Sequence, residues 1–270
     1  GHELTAAERR VAAVVLDHPQ LVAFGPVPQL AGRADVGAAT VVRLAGKLGF
    51  DGFSALQNAV RGEVSRQLRP AAERIRDLDD GLAPDRHQAT MVANVQQTLD
   101  HVEPATLTAT IDQLATVERP VAVIAGDAAS GIAAQFVHDL GALRGDVTHW
   151  WGSDVHIRRQ LALAGDDVTI VVIDLPRYER WVLEAARAAT ASGAVVVALT
   201  DGPLSPLAAA ARYVFTLAAR SWSPFESQVG TLALLELLVG GVAERLKPTA
   251  TARLDAINAA WNSTGALTDR

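Results

Sequence analysis

The 270-residue chain has no cysteine. That excludes a disulfide framework and every thiolate zinc site, and it suits a reducing compartment. Lysine is almost as scarce. Only Lys47 and Lys247 occur, so nearly all the positive charge is arginine. No stretch reaches about 18 apolar residues free of charge, which leaves no candidate transmembrane helix and no membrane partner. The start of the chain lacks the charged-then-apolar pattern of a signal peptide, so the expected location is the cytoplasm. Familiar catalytic motifs are missing too: there is no Gly-x-Ser-x-Gly elbow, no P-loop and no His-Glu-x-x-His. His149, Asp154 and His156 are near in sequence, but no helix or strand period converges all three. They are read as non-ligands, and neither a metal nor a cofactor is expected.

What is present is globular. Apolar residues make up 49% and charged residues 20%, enough for two modest domains with cores of their own. The net charge of −6 is uneven: residues 1–77 carry 10 Lys+Arg against 8 Asp+Glu, and the rest carry 14 against 22. That asymmetry permits a DNA-binding face near the N-terminus but does not demand one.

Thr5-Ala6-Ala7-Glu8 fits a capping box, with Thr5 as N-cap and Glu8 at N3. Val11, Val14, Val15 and Leu21 follow at helical spacing, for a helix that stops near His18-Pro19. A short helix through Leu30 and Ala31, a turn at Ala34 to Gly37 and a second helix from Ala38 to Leu48 come next. Gly49 closes that helix as a left-handed cap. Two short helices joined by a tight turn form a helix-turn-helix, whose second helix can enter the major groove of operator DNA. Leu30, Ala31, Val36, Val41, Val42, Leu44 and Leu48 are expected on the packed surface. Ala38, Ala39, Thr40, Arg43 and Lys47 are expected on or beside the outer face. There the small residues admit the backbone to the groove, Thr40 and Arg43 reach a base edge or a phosphate, and Lys47 suits a phosphate.

"LDDGLAP", Leu78 to Pro84, is acidic and broken by Gly and Pro, and reads as a linker. Helical patterns at 89–99 and 105–115 precede five apolar runs at 121–126, 146–150, 167–174, 194–201 and 213–218. The helices between them fall at 131–143, 155–164, 178–191 and 205–211. Continuous Val/Ile/Leu strands alternating with helices predict a parallel sheet covered on both faces. A long apolar helix is expected from about Glu226 to Leu246. In the tail, Leu254, Ile257 and Trp261 form a stripe for packing on a neighbour or a second subunit. The expected division is 1–77, a helix-turn-helix domain; 78–88, a linker; 89–247, an α/β domain; and 248–270, a C-terminal helix or tail.

In such a sheet a ligand sits where strands end and helices begin. Four places qualify. After the first strand comes Gly126-Asp127-Ala128-Ala129-Ser130-Gly131, where Ser130 offers a hydroxyl at a helix start and Asp127 brings a carboxylate that repels phosphate. Its half-likeness to a dinucleotide fingerprint is rejected, because the following acid, Asp146, opens the next strand instead of closing it. After the third strand come Asp174, Leu175, Pro176, Arg177 and Tyr178, with Arg180 beyond. Pro176 removes an amide there. Thr200 and Asp201 close the fourth strand. Ser221, Ser223, Pro224 and Glu226 are placed at the start of the long helix.

"LTAAERRVAAVVLDHPQLVAF" and "ADVGAATVVRLAGKLGFDGFSALQNAVRGEVS" resemble the N-terminal domain of RpiR-family bacterial transcription regulators, over about the first 75 residues. Gly37 stands where the family usually has an N-capping Ser. "VAVIAGDAASGIAAQFVHDL", "ALTDGPLSPLA" and "SPFESQVGTLALLELLV" resemble a SIS (sugar isomerase) domain, over about residues 90–247. The resemblance implies an α + α/β two-domain chain, with a flavodoxin-like five-stranded parallel sheet that forms a homodimer or tetramer and senses a phosphosugar. It does not extend to the loop at Asp174 to Tyr178. Relatives there read roughly Ser-x-Ser-Gly-x-Thr, and none of those hydroxyls remains. Three readings stand open: an altered, unphosphorylated small-molecule effector lined by Tyr178 and Trp181; a sugar phosphate held by Arg177 and Arg180; or a domain that only dimerises. The resemblance also carries an isomerase reading, in which Glu226 or His138 acts as a base.

Overall fold

The computed structural model describes residues 4–67, 70–76, 83–203 and 205–267. They cluster into two compact units, Gly1–Asp79 and Asp80–Arg270.

The first unit is helical: α1 (Ala6–Asp17), α2 (Pro19–Phe24), α3 (Val27–Arg33), α4 (Ala38–Lys47), α5 (Gly52–Gln67) and α6 (Ala71–Arg76). Both arms of the capping box form, since Thr5 Oγ1 accepts from the Glu8 amide and Glu8 accepts from the Thr5 amide. Leu21 lies in α2, because Pro19 begins a new helix at its first position. Val11, Val22, Leu30, Val41, Leu44, Phe53 and Leu56 make the core.

Both ends of the helix-turn-helix are closed by backbone. Asp35 takes φ +52 after α3, and the Val36 amide reaches back to the Ala31 carbonyl at 3.0 Å. Arg10 of α1 locks that turn, donating to the carbonyls of Ala34 at 3.1 Å and Asp35 at 3.0 Å. Gly49 takes φ +86 after α4, and the Phe50 amide bonds the Ala45 carbonyl at 3.0 Å. These pairings are the Schellman closure that satisfies a helix's last carbonyls. Val42 and Leu48, expected to be packed, are exposed instead. The core stripe of α4 is Val41, Leu44 and Ala45, so Val42 turns outward, and Leu48 already belongs to the terminating turn.

The second unit opens with α7 (Pro84–Asp100) and α8 (Pro104–Ala115). Residues 84–88, expected in the linker, are helical because Pro84 suits a first helical turn; residues 78–82 lie outside the described residues. Then come β1 (Val121–Ala125), α9 (Ser130–Leu143), β2 (Val147–His149), α10 (Asp154–Ala164), β3 (Thr169–Ile173), α11 (Arg180–Ala191), β4 (Val195–Thr200), β5 (Tyr213–Thr216), α12 (Val229–Arg245) and α13 (Lys247–Thr264). All strand pairs are parallel, in the order β2-β1-β3-β4-β5.

Alternate strand residues face two separate cores. Val121, Val123, Val171, Ile173 and Val197 pack with α8, α9 and α12 on one side. Ala122, Ile124, Ile170, Val172 and Val196 pack with α10 and α11 on the other. Burial on both faces explains why these strands read as continuous apolar runs.

Three expected helices begin elsewhere. The segment 205–211 forms only a single 3-10 turn, Ala208–Ala210, because the Arg212 amide already bonds Val196 and draws the chain into β5. α11 starts at Arg180, since the Glu179 amide is taken by Asp174. α12 starts at Val229. Before it, Asn94 of α7 brackets the chain by donating to the Arg220 carbonyl and accepting from its amide. Gly230 lies so close to α7 that an added Cβ would stand 2.5 Å from Thr98 Oγ1. In the tail helix Leu254 and Trp261 remain exposed and Ile257 is half-buried.

Candidate functional site

On α4, Ala38, Ala39, Val42, Arg43 and Gly46 are exposed, while Thr40 is buried with Val41, Leu44 and Ala45. Thr40, expected on or beside the outer face, instead accepts a 3.1 Å hydrogen bond from Arg43 Nη2. It braces the arginine from beneath. Lys47 is exposed, and its ammonium donates at 2.8 Å to Glu8, whose side chain is 4% exposed. Gly37, at the N-cap of α4, makes no side-chain cap bond. Sequence reasoning missed Val42, whose exposed methyls lie beside Arg43 and suit a thymine methyl in a groove.

Glu8 ties α1 to the last turn of α4. The Lys47 ammonium and then the Thr5 amide hold its carboxyl at about 2, against its usual 4.5. A depressed folded pKa contributes stability that is present above the unfolded value and lost as pH falls through the folded one. Amides of α1 and α4 are therefore expected to lose protection, after correction for intrinsic exchange, as pH falls from 4.5 toward 2. A Glu8→Gln chain should show no such window. The measurement is hydrogen exchange on the full-length protein.

In the second unit the strand order reverses between β1 and β3, and in open α/β sheets a ligand crevice ordinarily lies at such a switch point, outside the carboxyl ends of the strands. The β1 loop is Gly126 followed by a 3-10 turn, Asp127–Ala129. Ser130 is the first residue of α9, and its hydroxyl donates at 2.8 Å to the Asp127 carbonyl of its own loop. The β3 loop folds around Asp174, whose carboxylate accepts from the amides of Leu175 at 3.0 Å and Glu179 at 2.9 Å. Arg177 takes φ +72, a conformation that favours glycine. Both Arg177 and Arg180 are exposed.

The two loops join through Glu179, absent from the residues singled out in the sequence. Its Oε1 accepts from the Asp127 amide and its Oε2 from the Trp181 indole. Gly126 makes room for this: an added Cβ would lie 2.6 Å from Asp174 Oδ1 and 3.1 Å from Glu179 Oε1. At the end of β4, Tyr178 donates its phenol to Asp201. Burial first, and the Asp201 charge second, push that phenol above its usual pKa. Thr200 is buried and shares its hydroxyl with Asp201 at 3.2 Å and Ser205 at 2.8 Å. The structure therefore brings Gly126, Ser130, Asp174, Tyr178, Thr200 and Asp201 to one edge of the sheet, with the two arginines at its surface.

Glu226 does not start the long helix; it lies in the loop three residues before Val229, and Pro224 lies in the same loop. Ser221 and Ser223 bond each other at 2.9 Å in that loop. His138 is exposed two turns into α9, roughly 12 Å along the axis from Ser130. Asp154 pairs with Arg158 at 2.9 Å. Among the described residues no group of three or more His, Asp or Glu gathers to hold a metal ion, and no helix is long and apolar enough to cross a membrane.

Residues 1–67 match the helix-turn-helix domain of the rpiR family, and residues 121–240 match the SIS domain. The HTH-type transcriptional regulator HexR of Pseudomonas aeruginosa is 26% identical over 252 residues, covering 90% of this chain and 86% of its own. The sugar isomerase domain of an RpiR transcription factor from Sphaerobacter thermophilus superimposes with a TM-score of 0.60 at 26% identity, over 65% of this chain and 97% of that one. The Vibrio vulnificus NanR protein, solved in complex with ManNAc-6P, has the same fold at 20% identity, with a TM-score of 0.59 over 97% of this chain and 94% of its own. With one match over the helical unit and the other over the sheet, the chain belongs to the RpiR family of transcriptional regulators.

Proposed function

We propose that the chain reads operator DNA with the exposed face of α4, as a homo-oligomer, and that a small metabolite bound in the crevice between the β1, β3 and β4 loops adjusts its affinity. The observation that carries the reading is Arg43, held by the buried hydroxyl of Thr40 on an exposed face with Ala38, Ala39, Val42, Gly46 and, at its end, Lys47. Small side chains let the backbone approach a groove, and a braced guanidinium suits guanine or phosphate. Thr40 then positions Arg43 instead of touching DNA, and Lys47 serves α1 as much as a phosphate. The effector half draws on the topological switch point and on relatives such as NanR, solved with a phosphosugar. Binding there would alter operator affinity by a coupling free energy of about 1–3 kcal/mol.

The reading is of a sensor and not an isomerase. Glu226 lies in the loop before α12, and His138 lies well along α9, so neither is offered to the crevice by a helix start. The test begins with operator selection from a random DNA pool by the wild-type protein. Arg43→Ala is expected to weaken binding to the selected site by about 1–2 kcal/mol, roughly five- to thirtyfold. Thr40→Val should cost less, through a looser Arg43. Unchanged specific binding in Arg43→Ala would mean that α4 is not the reading helix.

A further inference from the structure

The carboxyl edge of the sheet holds an anion of the protein's own making. The Glu179 carboxylate reaches from the β3 loop to the amide of Asp127, in the turn that opens α9, and its second oxygen is held by Trp181. A backbone N–H at a helix start is where the phosphate or carboxylate of a ligand is ordinarily received. Gly126 is packed so tightly under this carboxylate and under Asp174 that the backbone is shaped around them. In the β3 loop the amides of Leu175 and Glu179 are likewise taken, by Asp174, and Pro176 has none to give. Asp201, held by Tyr178, adds a third carboxylate to the same edge.

Resting on the assignment of this crevice as the effector site, we infer that Glu179 sets the class of effector: its carboxylate fills the anion subsite, so the domain admits an uncharged polyhydroxylated molecule and rejects the phosphorylated form. Hydroxyls of such a molecule donate to carboxylates, whereas a phosphate brought beside Asp174, Glu179 and Asp201 meets like charge in a partly dehydrated site. Arg177 and Arg180 sit on the exposed rim. They can meet an anion at the surface without displacing Glu179 from the amide.

The test compares full-length wild-type protein with Glu179→Thr, which withdraws the carboxylate, and Glu179→Gln, which keeps its shape without its charge. The probes are inorganic phosphate and glucose 6-phosphate, read by calorimetric titration and by thermal shift at neutral pH. Wild type is expected to show no binding, and Glu179→Thr to bind both probes at least about tenfold more tightly than wild type. Glu179→Gln should fall between them, and it stands in should Glu179→Thr fail to fold. Wild-type binding equal to that of the variants would overturn the inference. So would the absence of phosphate binding in both variants, because Glu179 would then not be what keeps anions out. If a variant binds glucose 6-phosphate but its operator affinity does not respond, Glu179 stands as the gate and the crevice fails as the effector site.

Discussion

Arg144→Met is expected to destabilise the sheet-containing unit by about 2–4 kcal/mol. Arg144 ends α9 and is 1% exposed, the largest fully buried side chain among the described residues. Its guanidinium serves the connection from α8 to β1. It donates to the carbonyls of Leu114, Thr116 at 3.0 Å, Val117 at 3.3 Å and Arg119 at 2.6 Å, while Nε reaches Gly145 at 3.0 Å. A helix leaves its last carbonyls without partners, and at the end of α8 this side chain caps that of Leu114 and then follows the chain beyond the helix. Burial lowers its pKa, partly offset by the charges of Asp146 and Glu118, but an arginine keeps its proton under any ordinary condition. Methionine matches the bulk and leaves the buried Leu114 carbonyl without a donor, at a cost of about 1–3 kcal/mol, while the Thr116 carbonyl keeps the Arg119 amide and Val117 is open to water. Arg144→Lys restores charge but only three donors without the planar fork, and should recover a minority of the loss. Urea unfolding of the full-length chain measures it; a loss below about 1 kcal/mol would mean that water replaces the guanidinium.

Arg144 also shows where the sequence stops being legible. Read alone, a charged residue between a helix and a short strand belongs to the surface, and only the carbonyls of a segment some thirty residues upstream make it a core residue. Features closed within a few residues are different. The Thr5–Glu8 box, the left-handed Gly49 and the five apolar strands follow from local rules, and the structure has them. α4 lies between these cases: the 3.6-residue period places Val41 and Leu44 correctly, but a shift of one position exchanges Thr40 for Val42, and both are small and β-branched. At the sheet edge, strand ends brought Asp174, Thr200 and Asp201 to one place, as their positions after apolar runs implied. Glu179 was hidden because its partner amide belongs to Asp127, 52 residues earlier. Glu226 was misplaced because an apolar run shows the body of a helix better than its first residue.

Asp174→Asn is expected to abolish a pH dependence of stability worth about 2–3 kcal/mol. Burial first, then the charges of Glu179 and Asp201, raise the Asp174 carboxyl to about 6 from its usual 3.8, although the amides of Glu179 and Leu175 pull it back. A raised folded pKa contributes stability that is fully present below the unfolded value and lost as pH rises through the folded one. The wild-type unit should therefore weaken as pH climbs from about 4 to beyond 6, a window separate from the acid one set by Glu8. Asparagine keeps an acceptor for one of the two amides and carries no charge, so its profile over that window should be flat. At neutral pH the native loop thus retains an ionised carboxylate that opposes folding, and a ligand offering hydroxyl donors there recovers part of the loss. Denaturant midpoints from pH 4 to 7 decide it. An Asp174→Asn profile that still falls through pH 6 would move the titration to another group.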